Sequence, residues 1–177
     1  MSRGKNEKIV NCPVITEEQL KKVFPNADKK KLADCLVAIN LHFPKFNIDT
    51  PARIAAWLGQ VAVESGELKY MKELPSKYNK KDVKDKSEPV GSLYEGRKNL
   101  GNTQVGDGAK YIGRGYLQLT GRANYAEYGK KLGLDLVNKP ELAEGSDAAV
   151  QIACQYYKDR GLLELADKWD LDTITLK

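Results

Sequence analysis

The run Gly113-Arg114-Gly115-Tyr116-Leu117-Gln118-Leu119-Thr120-Gly121-Arg122-Ala123-Asn124-Tyr125 decides how this chain folds. Before it come Tyr94-Glu95-Gly96-Arg97 and the glycines Gly101, Gly106 and Gly108. Glycines this dense forbid a long helix and permit positive φ or close backbone approach to a ligand. Tyr, Arg, Gln, Thr and Asn supply stacking faces and hydrogen-bonding groups. The stretch therefore reads as the irregular lining of a polar cleft, with a short strand or hairpin within 111–119. Ordinary loops share this composition. Two carboxylates, Glu95 at its head and Glu64 upstream, favour the cleft.

Outside this stretch the periodicity is helical. Thr16 and Gln19 form a capping box that opens a short helix ending near Pro25. A second helix starts after Asp28 and runs to about Phe43, with Leu32, Cys35, Leu36 and Ile39 as its apolar stripe and Pro44 as its stop. Thr50-Pro51 starts a third, buried through Ile54, Trp57, Leu58, Val61 and Ala62 and ending at Ser65. Residues 69–89 are polar and lysine-rich, an irregular wall of a groove anchored by Tyr70, Met71 and Tyr78. Gly121 to Leu132 is a helix closed by Gly133. Ser146-Asp147 caps another, with Ala149, Ile152, Ala153, Tyr156 and Tyr157 inward and an end near Gly161, and Leu162 to Lys168 continues helically. Residues 1–13 form a polar surface arm. The expectation is one mainly α domain over residues 1–177.

Composition narrows the function. A hydrophobic fraction of 41% and a charged fraction of 30% are those of a globular chain. No apolar run approaches the ~20 residues of a membrane span. The charged N-terminus lacks the apolar core of a signal peptide, so the expected site of synthesis is the cytoplasm. A net charge of +5 suits an acidic partner such as a bacterial cell wall. Its scattered lysines, with no accompanying motif, speak against nucleic acid. Three cysteines, Cys12, Cys35 and Cys154, without Cys-x-x-Cys spacing, indicate reduced thiols, with neither disulfides nor zinc. The single histidine, His42, has no nucleophile motif beside it and reads as structural. No metal, cofactor or obligatory subunit is implied, and a monomer is expected.

Glu64 stands at the C-terminal end of the third helix, in Val63-Glu64-Ser65-Gly66. Such a carboxylate is either a solvated end residue or, if flanked by apolar groups, an acid whose proton the dipole and desolvation retain. Glu95 heads the glycine-rich loop, so the two environments differ, as they do where one carboxyl serves as acid and another as base. The reaction that most naturally uses such a pair without metal, cofactor or histidine is glycoside hydrolysis.

These residues closely resemble glycoside hydrolase family 19, nearer its phage and bacterial endolysin branch than its plant chitinases. The resemblance rests on Ala62-Val63-Glu64-Ser65-Gly66, Tyr94-Glu95-Gly96-Arg97, Gly106-Asp107-Gly108, Tyr111 and the run from Gly113 to Tyr125, and extends from about Thr50 to Thr173. It implies a lysozyme-like helical fold with a small β region beside a substrate cleft. It also implies that Glu64 is the general acid, Glu95 the base that activates water for inversion, and Thr120 a holder of that water. Gln118 and Asn124 would bind N-acetyl sugars, and Tyr111 would face one. The implied substrate is the β-1,4 glycan of peptidoglycan, with chitin oligomers second and a non-catalytic glycan-binding remnant as the alternative from another class. The implied route to the wall is holin-type release or a dedicated secretion machine. Val63 stands where relatives carry His, Glu67 where Gly is common, and the family's C-terminal Ile-Asn-Gly-Gly segment is absent from this sequence.

Overall fold

The computed structural model describes residues 13–175; Cys12 and all of the expected N-terminal arm except Pro13 lie outside the described residues. Among these are eight α-helices: α1 (Glu17–Val23), α2 (Lys29–His42), α3 (Pro51–Ser65), α4 (Asp107–Lys110), α5 (Arg122–Leu132), α6 (Ser146–Asp159), α7 (Leu162–Asp167) and α8 (Leu171–Thr175). The structure is mainly α, as expected. Among the described residues no helix is long and apolar enough to cross a membrane.

The first three helices begin where a side chain satisfies free amides of the first turn. Thr16 Oγ1 accepts from the Gln19 amide while the Gln19 side chain accepts from the Thr16 amide. Asp28 accepts from the amides of Lys30 and Lys31 ahead of α2, and Thr50 from that of Arg53 ahead of α3. α2 ends at His42, close to Pro44 as expected, and the chain goes on in a 3-10 segment, Phe43–Phe46, with Pro44 in its first turn where its missing N–H is not needed. One helix start departs from expectation. Gly145 rather than Ser146 precedes α6, so no side chain caps that helix. Asp147 in the first turn of α6 instead pairs with His42 Nε2 at 2.7 Å, which fixes the structural role of the histidine.

Two apolar clusters form the interior. The larger surrounds Trp57, fully buried on α3 and edge-on to Phe43 at 4.9 Å and to Tyr116 at 6.3 Å. Burial of each such side chain contributes about 1.5–3 kcal/mol. α2 packs along α6, Tyr157 Oη donates to the Ala56 carbonyl at 2.9 Å, and Arg53 forks onto Asp167 of α7. Cys35 and Cys154 are free thiols in this cluster, and burial pushes Cys35 up to about 11. The smaller cluster gathers Tyr111, Leu119, Tyr125, Tyr128, Leu136 and Ala143. α6 serves both, giving Ala153 and Tyr157 to one and Ile152 to the other.

The Gly113–Tyr125 run lies between the clusters, with Tyr116 packed into the first and Leu119 into the second. Its β content is smaller than expected. Among the described residues, pairing amounts to two isolated antiparallel bridges, Lys72 with Arg114 and Arg114 with Leu119. Gly115 and Gln118, at φ 76° and 53°, turn the chain back so sharply that only one residue pair can form.

Candidate active site

Glu64 is carried on the last turn of α3, and the turn behind it is fixed from several sides. Ser65, fully buried, donates from Oγ to the Val61 carbonyl and accepts from the Leu68 amide at 2.8 Å. Gly66, Glu67 and Leu68 all have positive φ, a strained run for the last two. Glu67 is clamped by the backbone and side-chain amides of Asn26, and Lys31 Nζ donates to the carbonyls of Leu68 and Lys69. Glu67 is therefore a support of the turn. Glu64 itself is exposed, and its neighbour Val63 is 81% exposed. The desolvation expected from the flanking apolar residues is thus absent in the free protein, because Val63 points to solvent.

Glu64 shares a depression of about 250 Å³ with Tyr70, Lys72, Glu73, Leu74 and Gln118. Glu73 is the second carboxylate of that depression, and Glu95 is not among its lining residues. The Glu73 backbone is bound to Gly113, amide to carbonyl, at 2.9 Å. Its carboxylate accepts from Tyr94 Oη at 2.6 Å and from the Gly113 amide at 3.1 Å. Burial and the adjacent Glu73 charge raise the Tyr94 phenol well above its usual range, so it stays a donor.

Gly113 creates a polar niche here. A Cβ at that position would lie 2.7 Å from Gln118 Oε1, 3.3 Å from Glu73 Oε2 and 3.3 Å from Thr120 Oγ1. Oxygens from two segments, Glu73 on one and Gln118 and Thr120 on the other, thus crowd onto Gly113 where a side chain would have to push them aside. Thr120 Oγ1 spends its proton on the Gln118 carbonyl at 2.8 Å, leaving its lone pairs free to accept. Asn124 Nδ2 donates to the Thr120 carbonyl at 2.7 Å and ties α5 to the niche. Gln118 is held in the left-handed region, an uncommon conformation for a residue with a side chain and one that concentrates at functional sites.

The structure separates the other residues named from sequence. Both oxygens of Glu95 accept backbone amides, Oε1 from Gly106 and Oε2 from Gly108, each at 2.8 Å. Glu95 thereby clamps the glycine-rich loop at the start of α4. Next to it Asp107, 1% exposed, forks onto Arg122 and accepts from the amides of Thr103 and Gln104. Tyr111 is fully buried, its hydroxyl donating to the Val137 carbonyl and its ring against Tyr125. It supports the cleft from behind and cannot stack on a sugar, because the second core has enclosed it. Glu73 was missed because its segment reads as a lysine-rich wall. Its signal was that it is the one carboxylate between Glu67 and Asp82.

The Glu64 depression adjoins two others. Through Gln118 it meets a hollow of about 380 Å³ that includes Thr120, Asn124, Tyr128 and Tyr156. Through Glu64 it meets one of about 300 Å³ between α3 and α8, including Gln60, Val63 and Ile174. The carboxylates thus lie in the middle of a row of hollows, a form suited to a polymer. Among the described residues no three His, Cys, Asp or Glu side chains gather into a metal-binding group.

Comparison with known proteins shows the family and the fold. The model of glycoside hydrolase family 19, described as chitinase class I, matches residues 32–158. A glycosyl hydrolase family 19 domain-containing protein of Haemophilus influenzae is 32% identical over 170 residues, covering 86% of this chain and 82% of the relative. Chitinase C from Streptomyces griseus is 29% identical with a TM-score of 0.52, and the match covers 81% of this chain but 54% of that one. This chain therefore spans about half the length of that solved structure. A class IV family 19 chitinase from Zea mays, at 20% identity and a TM-score of 0.56, shares the fold, covering 85% of this chain and 74% of its own.

Proposed function

Because this chain belongs to glycoside hydrolase family 19, we propose that it hydrolyses the β-1,4 glycan strand of bacterial peptidoglycan by single displacement with inversion. Glu64 is the acid, and Glu73 takes the role of base that the sequence had suggested for Glu95. The observation that carries this reading is the shared depression of Glu64, Glu73 and Gln118, with the niche over Gly113 beside it.

The residues divide the chemistry as follows. A glycan lying in the groove removes water from Glu64, whose proton passes to the leaving oxygen as the anomeric C–O bond breaks. A water molecule in the groove, between Glu73 and Thr120 and outside the Gly113 backbone, donates one hydrogen to Glu73 and the other to Thr120 Oγ1. Its lone pair then points at the anomeric carbon from the opposite face. As the new C–O bond forms, its proton moves to Glu73. Tyr94 and the Gly113 amide keep the Glu73 carboxylate aimed at that water. Gln118 and Asn124 bind N-acetyl groups on the Thr120 side of the groove, a role supported by the hollow they line together.

The charge of +5 supports peptidoglycan as the substrate, since the wall is anionic. Chitin oligomers are the second reading, favoured by the solved relatives named chitinases. Digestion of purified peptidoglycan and of chitin oligomers, with mass spectrometry of the released ends, tests both. Muropeptides released by the wild type and not by Glu64→Gln support the proposal. Products from chitin alone establish the second reading. Binding without products from either substrate establishes a glycan-binding remnant.

A further inference from the structure

We propose that Lys72 makes this site prefer a glycan whose sugars carry carboxylates, such as peptidoglycan strands whose lactyl acids are free of stem peptide, over an uncharged one; the inference rests on the peptidoglycan reading above. Lys72 is the one cation among the residues lining the depression of Glu64, Glu73 and Gln118. The ionised Glu73 at the reaction centre repels an anionic substrate, and a neutral glycan needs no compensating charge there.

The geometry holds this cation in place and leaves its charge loosely paired. The Lys72 backbone forms the bridge to Arg114, and both neighbours are tied down, Met71 by the Gly115 amide and Glu73 by Gly113. Only the flexible four-carbon stem is free to swing, and the side chain is 52% exposed. The acidic partner of Nζ is Glu144 Oε1 at 3.9 Å. That same oxygen already accepts from Arg114 Nε at 2.8 Å. Glu144 is thus largely satisfied by a buried guanidinium, and Lys72 keeps most of its charge for a ligand. Lys69, over the ring of Tyr70 at 5.1 Å, adds positive charge at the rim, since Tyr70 also lines the depression.

A matched pair of substrates isolates this effect. Peptidoglycan strands stripped of stem peptides retain free lactyl carboxylates, and coupling those to ammonia gives the same strands uncharged. The wild type should cleave the charged strands with a kcat/KM about fivefold higher, the scale of one exposed ion pair, and the preference should shrink as salt is added. In Lys72→Gln the ratio should fall toward one, while Lys72→Arg keeps it. An equal loss on both strands in Lys72→Gln overturns the inference, since it means that Lys72 acts on the catalytic carboxylates. An unchanged ratio also overturns it and leaves the peptidoglycan reading intact. Chitin cleavage with no cleavage of either strand by the wild type overturns that reading and the inference together.

Discussion

Replacing each candidate base in turn, Glu73→Gln and Glu95→Gln, separates the two assignments. Glutamine matches glutamate in shape but accepts no proton from water. General-base catalysis contributes about 10²–10⁴ in rate. At 1.36 kcal/mol per tenfold, losing it from Glu73 raises the barrier by about 3–5 kcal/mol. Glu73→Gln keeps one carbonyl acceptor for Tyr94 or Gly113, and the backbone clamp to Gly113 remains, so the fold persists. Glu95→Gln has the opposite signature. One of its two amide bonds, to Gly106 or Gly108, is lost from an exposed side chain, which costs about 1 kcal/mol. For a chain of this size that lowers the melting temperature by about 2–4 °C, and kcat should stay within about threefold of wild type because the loop is only loosened. The assay is kcat on soluble glycan together with a thermal melt of each variant. An inactive but normally melting Glu95→Gln beside an active Glu73→Gln would refute the reassignment.

Further substitutions probe the parts around that base. Gly113→Ala puts a methyl group into the niche, against the flexible end of Gln118 and the oxygens of Glu73 and Thr120. It should lower kcat roughly tenfold or more by pushing aside the oxygens that hold the water, with little change in melting temperature; full activity would exclude a water held between them. Tyr94→Phe removes one donor to Glu73 and leaves the Gly113 amide. It should cost about tenfold in kcat, the equivalent of one charge-assisted hydrogen bond, with KM nearly constant; a change confined to KM would place Tyr94 in substrate binding. Asp107→Asn leaves Arg122 without its counter-charge and should destabilise the protein by about 3 kcal/mol at neutral pH, measured by urea unfolding. Arg122 holds the Asp107 carboxyl below its ordinary range. The contribution is therefore complete above about pH 4, the unfolded value, and lost as pH falls through the depressed folded one. The stabilities of wild type and Asp107→Asn should converge in acid, and a constant difference would show that packing, not charge, is responsible.

The helical frame was legible because its signals are local. The Thr16 box, the Asp28 and Thr50 caps and the stripe through Trp57 and Val61 each involve residues within a turn or two of one another, and a helix forms on that scale. So was the acidic end of α3, since Gly66 marks where the helix stops and Glu64 stands two residues before it. The glycine-rich run was correctly read as cleft lining, because glycine density limits backbone geometry whatever surrounds it. Which carboxylate shares a depression with Glu64 was not local. Glu73 meets Gly113 and Tyr94 across separations of 40 and 21 residues, and only the folded chain brings them together. The apparent base, Glu95, was spent on two amides of its own loop. Tyr111 faced a sugar only by what the resemblance implies, and the second core enclosed it through Tyr125 and the Val137 carbonyl. Sequence thus determined where helices run and which stretch lines the groove, through capping, periodicity and backbone freedom. Tertiary packing decided which side chains face the groove, because exposure depends on contacts between segments far apart in the chain.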